Sequence, residues 1–217
     1  GRAFEYGISF DASAIQGFGD ETKSDLFLFP DPSTLSVLPW RPTQGRVVRM
    51  FCEIQNPDGT PFQRDSRFLL KKAIARAKKM DVACYFGAEF EFYLFQTDEN
   101  GFPTKTPFDH AGYMDIAPED RGENVRLTLS DMGIRPEGSH HEEGPGQNEI
   151  DFRYSDALSA ADNAVTFKSV AQNIAMRNSD KQAILEELRP VRRLERMYRL
   201  LCREVEVLSL DMEIQSR

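Results

Sequence analysis

Glu89, Glu91, Glu142 and Glu149, together with His140, His141 and Asp11, are the residues whose types and spacing can do chemistry in this chain. In GAEFEFYLF, Glu89 and Glu91 stand two apart in an alternating run, which predicts a strand with both carboxylates on one face, about 7 Å apart. Cys84, Ala88, Phe90, Phe92 and Leu94 fall on the opposite face of that strand. In GSHHEEGPGQNEIDFRY a hairpin is predicted to turn at Gly144-Pro145-Gly146, and Glu142 and Glu149 face each other if the tip is Pro145-Gly146.

Carboxylates side by side repel, and such a pair is stable when solvated, protonated or bridged by cations. A hard cation such as Mg²⁺ or Mn²⁺ takes carboxylate oxygens, so four acidic side chains around one cleft suggest a divalent-cation site. The alternative stays open that each strand simply shows water a polar face, as antiparallel sheets do. His140 and His141 are ligand types for zinc or iron. Adjacent strand residues point to opposite faces, so at most one of them joins a given site, and a core or hydrogen-bonding role is the alternative for both. Asp11, in FDASAIQGF, reads as a turn or cap residue beside Ser13. No Walker loop or dinucleotide fingerprint occurs, so metal ions would have to hold the phosphates of any bound nucleotide.

These residues need elements to position them. Residues 4–54 hold strand-like runs, FEYGISF, DLFLF closed by Pro30, and RVVRMFCEI with Val48, Met50, Cys52 and Ile54 on one face, which predicts a small sheet with one buried side. Asp65 or Ser66 is placed to cap a helix running to about Met80, with Phe68, Ala73, Ile74 and Ala77 on its apolar face. Cys84 to Phe95 alternates strictly, and the stretch from about Gln96 to Asp120 reads as a loop rich in Pro, Gly and Asp. After the hairpin a helix is predicted with Ala160, Ala164, Phe167, Ala171 and Ile174 on one side. Beyond Pro190, the spacing of Leu194, Met197, Leu201, Leu208 and Met212 predicts a long amphipathic helix.

The chain has 217 residues, 40% hydrophobic and 29% charged, enough for one or two domains with a real core. Its net charge of −8, with the basic residues dispersed, argues against nucleic acid as a partner. No apolar run reaches the roughly 20 residues needed to span a bilayer, and the first residues carry no export signal, so no membrane partner is expected. Cys52, Cys84 and Cys202 are far apart and lack C-x-x-C spacing, which fits neither a disulfide framework nor a zinc site and leads to the expectation of a reducing cytoplasm.

The strings FDASAIQGF, SDLFLFPDPSTL, FGAEFEFYLF, GYMDIAPED and SHHEEGPGQNEIDFRYSDALSAADNAVTFK occur in the order found in bacterial type I glutamine synthetases. Residues from about 3 to 178 resemble the N-terminal half of that family. The resemblance implies ATP-dependent joining of ammonia to glutamate through a γ-glutamyl phosphate, with Mg²⁺ or Mn²⁺ spreading the phosphoryl charge, and a homo-oligomer in the parent family. It further implies that Glu91, Glu142 and Glu149 hold one metal, that Glu89 holds a second, that Glu137 contacts ATP, and that Asp11 is the ammonium-site carboxylate. The fold it implies over 1–178 is α+β, a partial β-grasp-like domain over 1–60 and part of an antiparallel-sheet catalytic domain over 61–178, and the residues beyond, 179–217, read as a helical segment of different origin. Residues 181–217 resemble the helical arm of Lon-type ATP-dependent proteases, without a Walker motif or a catalytic Ser and Lys pair.

The chain departs from the glutamine synthetase pattern as well. The family's loop close to F-x-P-K-P, its N-G-S-G-x-H strand and its phosphate-neutralising arginines are not in this sequence, and GENVRLTLSDMG is several residues shorter than the family leads one to expect. Turnover by this chain alone is therefore not expected. A non-catalytic divalent-cation-binding fragment, or a chimera with a Lon-like helix, is the alternative reading.

Overall fold

Alternating hydrophobicity, capped helical runs and glycine turns give four α-helices, one short 3-10 helix and twelve strands among the described residues of the computed structural model, which are 2–18, 24–41, 45–100, 102–115, 121–177 and 182–185. The chain divides into two compact units, 1–85 with 156–162, and 86–155 with 163–217.

In the first unit α1 (Arg2–Tyr6) leads into β1 (Ile8–Asp11), β2 (Asp25–Pro30), β3 (Ser36–Val37), β4 (Val48–Arg49), β5 (Cys52–Gln55) and α2 (Ser66–Lys79). β2 is the middle strand of an antiparallel sheet in the order β1-β2-β5, with Phe10 opposite Leu26 and Leu28 opposite Ile54. FEYGISF is not one strand. Gly7 takes φ +71° between α1 and β1, where a side chain would meet the Phe29 ring at 2.9 Å, so the chain turns there. RVVRMFCEI is also interrupted, because Phe51 leaves the ladder to bond Thr34 Oγ1 and Asp31 N–H. Its supposed apolar face is uneven: Val48 is exposed, while Met50, Cys52 and Ile54 are half-buried.

Asp65 is the cap of α2, accepting from the Arg67 N–H at 3.0 Å and also from the Ile54 N–H at 3.2 Å. Arg67, buried at the start of this helix, forks onto Asp162 at 3.0 and 2.9 Å and reaches Asp31 at 3.0 Å.

The second unit is built on β7 (Glu89–Thr97), which follows β6 (Tyr85–Phe86). Next in the chain come β8 (Pro103–Pro107), α3 (Arg121–Asp131), β9 (Pro136–His141), β10 (Gln147–Phe152), β11 (Ser155–Asp156), α4 (Ala157–Arg177) and β12 (Gln182–Leu185), with 156–162 of β11 and α4 counted in the first unit. The antiparallel order is β12-β7-β10-β9, with β8 also on β7. Phe90, Phe92, Leu94, Ile150 and Phe152 fill one face of this sheet, and Phe167 of α4 stacks on Phe90 at 4.5 Å with Phe92 and Phe152 edge-on at 5.7 and 5.8 Å. With one face filled this way, the opposite face is left for Glu89, Glu91, Glu149 and Asp151.

Three further details differ from the sequence reading. Cys84 is exposed and lies before β7, because the ladder begins only at Glu89. The loop after Gln96 contains β8, paired through Phe95 with Pro107 and Thr97 with Pro103. Gln182–Leu185, placed by sequence in the helical segment 179–217, is instead a strand, since the edge of β7 offers backbone partners from Tyr93 to Gln96 that outweigh local helical preference. The long helix after Pro190, and the Lon-like resemblance of that stretch, lie outside the described residues.

Candidate metal centre

The site is assembled by the β9–β10 hairpin and the neighbouring strand β7. Glu149 sits in the middle of β10, opposite His140 on one side and Glu91 on the other. Glu142 is the first residue past β9, and its N–H closes the turn on the Gln147 carbonyl at 2.8 Å. Glu142 and Glu149 are therefore not directly opposed. The turn spans Glu142–Gln147 and is centred on Gly144-Pro145, one residue earlier than a Pro145-Gly146 tip, and this places His140 across from Glu149. Gly146 takes φ +71° with a Cβ position only 2.6 Å from the Leu94 carbonyl, so only glycine fits there.

The side chains meet nonetheless. His140 Nε2 lies 2.9 Å from Glu142 Oε1 and 3.4 Å from Glu149 Oε2. One ligand atom each from His140, Glu142 and Glu149 lies within 4.8 Å of the others, the one such group of three among the described residues. His141 points to the other face and is buried against Asp109, as strand alternation requires. The Tyr113 ring stands edge-on to His140 at 5.7 Å.

Burial, hydrogen bonding with Glu142 and the charge of Asp151 push the Glu149 carboxyl up to about 8. Burial acts to raise Glu142 too, but hydrogen bonds from Glu149, His140 and the Glu143 N–H outweigh it and hold this carboxyl below its ordinary range. Without a cation these opposite shifts favour a proton on Glu149 over one on Glu142. One oxygen of Asp151, beside Glu149 on β10, is buried without a hydrogen-bond partner. Carboxylates crowded onto one proton, an orphaned carboxylate oxygen and an imidazole nitrogen form a donor set that fits a divalent cation.

Glu91 lies on the same face and accepts a hydrogen bond from Gln147 Nε2 at 2.7 Å. Glu89 is exposed one register step away, opposite Asp151. Neither belongs to the close group of three. Glu137 falls at a β-bulge where the register slips between Asp151 and Phe152, and it lines an open depression of about 580 Å³ with Arg135, Arg153 and Ser130. Asp11 ends β1 in the first unit, and its carboxylate accepts from the Ser13 N–H at 2.8 Å. The Ser13 hydroxyl and N–H together hold that carboxyl below the usual range.

Sequence reasoning weighed His140 without choosing it and missed Gln147 and Asp151. The signal was present, because counting by two from Glu149 puts Gln147 and Asp151 on its face, and counting by two from Glu142 reaches His140.

Two families match this chain: glutamine synthetase, beta-Grasp domain, over residues 1–57, and glutamine synthetase, catalytic domain, over 63–185. The glutamine synthetase of Clostridium saccharobutylicum is 49% identical over 181 residues, and that of Methanosarcina mazei 50% identical over 178. These alignments cover 82% and 80% of this chain but 41% and 40% of those proteins, so the chain spans about two fifths of the length of the curated relatives it matches. Among solved structures, a GmaS/ADP complex is similar with a TM-score of 0.72 at 28% identity, covering 84% of this chain and 42% of that one. Plasmodium falciparum glutamine synthetase shares the fold with a TM-score of 0.70 at 24% identity, again over 84% and 42%. With both its β-grasp and its catalytic portions matched, the chain belongs to the glutamine synthetase family.

Proposed function

We propose that this chain carries a divalent-cation site of a glutamine synthetase, serving in the whole enzyme the ATP-dependent joining of ammonia to glutamate through a γ-glutamyl phosphate. The observation that carries this reading is the convergence of His140, Glu142 and Glu149 within 4.8 Å on one hairpin. Glu142 and Glu149 hold the cation, and Glu91, on the same face and directly opposite Glu149, completes the carboxylate set when Gln147 releases it. Glu89 faces a second ion, and Mg²⁺ or Mn²⁺ suits these oxygen donors. The bound ions would supply positive charge to the oxygens of the transferring phosphoryl group. Glu137, beside Arg135 and Arg153, contacts the nucleotide, a role supported by the similarity to a structure of GmaS with ADP. Asp11 holds the ammonium ion in the assembled homo-oligomer.

In this reading residues 1–60 form part of the β-grasp domain and 61–178 part of the catalytic domain. The Lon-like origin of the last residues is a separate proposal, tested by one contiguous genomic read across Asn178. Because the family's phosphate-clamping arginines are not in this sequence, the chain binds Mn²⁺ but makes no glutamine by itself.

Calorimetric titration of the 217-residue chain with Mn²⁺, beside a Glu91→Ala and Glu142→Ala double variant and followed by an ATP, glutamate and ammonia assay, tests this. Binding that disappears in the variant, with no glutamine formed, is the expected result. Absence of saturable binding would leave the carboxylates as a solvated face and overturn the reading.

A further inference from the structure

The hairpin that presents Glu142 is held from behind by groups the cation site does not use. His141 is 4% exposed on the face away from the site. Its Nδ1 lies 2.7 Å from the Glu142 carbonyl oxygen. Its Nε2 lies 2.8 Å from Asp109 Oδ1. The same oxygen accepts from the Gly146 N–H at 3.2 Å and the Ala111 N–H at 3.1 Å. Asp109 thus ties together both ends of the Glu142–Gln147 turn and the loop that follows β8. The tie is reinforced by Met114 N–H donating to the His141 carbonyl at 3.0 Å, and by Gly146 and Phe108 bonding Leu94 at 2.8 and 2.9 Å.

We infer that Asp109 and His141 are positioning residues that set where the Glu142 carboxylate stands in the cation site. The two carboxylates depend on this clamp unequally. Glu149 lies inside the sheet, paired on both sides, and needs no further support. Glu142 lies just past the end of β9, and its carbonyl is taken by His141. A ligand at a strand end is free to swing unless its backbone is fixed, and groups behind a metal site contribute about 10–100-fold in metal affinity by fixing it. This inference rests on the divalent-cation reading above and adds two residues that touch neither cation nor substrate.

The test uses the full chain with Mn²⁺ as the probe, read by calorimetry and by water-proton relaxation. Asp109→Ala removes the shared acceptor, and a fall in Mn²⁺ affinity of about 10–100-fold is expected. Relaxation enhancement per bound ion should rise, because a swung-out Glu142 leaves room for an extra water. Asp109→Asn keeps an acceptor oxygen in place and should recover most of the affinity. Asp65→Ala, which removes the α2 cap, should lower the melting temperature and leave Mn²⁺ binding unchanged. Should Asp109→Ala fail to fold, Mg²⁺ titration of the unaltered chain followed by amide resonances decides the matter. Gly146 and Ala111 should then shift along the same curve as Glu142.

A folded Asp109→Ala protein with unchanged affinity and relaxation, or Gly146 and Ala111 resonances that stay still while Glu142 moves, would overturn the clamp alone. No Mn²⁺ binding by the unaltered chain would overturn the cation reading and this inference with it.

Discussion

Glu149 is pushed up to about 8 by its burial and by Glu142 and Asp151, from an ordinary value of 4.5, and this has a consequence for stability. A carboxyl that holds its proton more tightly when folded stabilises the fold fully below about 4.5, and that contribution is lost as pH rises towards 8. Glu142, shifted the other way, contributes stability that is fully present above its ordinary range and is lost only as pH falls below it, so it does not vary in this window. Cation binding must displace the Glu149 proton. Mn²⁺ affinity should therefore rise about tenfold per pH unit between pH 6.5 and 7.5 and level off above 8. Calorimetry at those pH values checks this, and an affinity flat across the window would contradict it. The glutamate types and their strand were legible from alternation alone, because residue types and a period of two are local properties. The partnership of His140 with Glu149 was not, because it depends on which residues the turn is centred on.

At the scale of elements, β7, β10 and α4 were legible for the same reason that they form a core: Phe90, Phe92, Phe152 and Phe167 recur at the periods of the elements that carry them. Phe167 touches three aromatic rings and is 1% exposed, so Phe167→Ala should cost about 3–5 kcal/mol. Chemical denaturation would measure it, and a loss below about 1 kcal/mol would mean that α4 does not pack on this sheet as described. α1, β8 and β12 were not legible. α1 is ended by the conformation of Gly7, while β8 and β12 exist because β7 offers them a partner, and neither cause is visible in a short window of sequence. The helix cap at Asp65 was legible because side-chain capping involves residues only two apart.

For the whole molecule, family membership was legible from the order of five strings. Among the described residues of the first unit β1 is a sheet edge with Ile8 exposed, and Phe4, Tyr6 and Val48 are exposed in the same unit. An open apolar strand edge recruits another chain. The purified chain should self-associate in light scattering after size exclusion, and Ile8→Lys should reduce this. A monodisperse monomer with a sharp cooperative melt would overturn that expectation.

The central claim is that a divalent cation replaces the proton shared by Glu142 and Glu149, and an anomalous-scattering map of crystals soaked in Mn²⁺ tests it most directly. The predicted result is a peak within coordination distance of both carboxylates, absent from Glu142→Gln crystals. Soaked crystals with no peak there, or with Mn²⁺ held only by other residues, would contradict it.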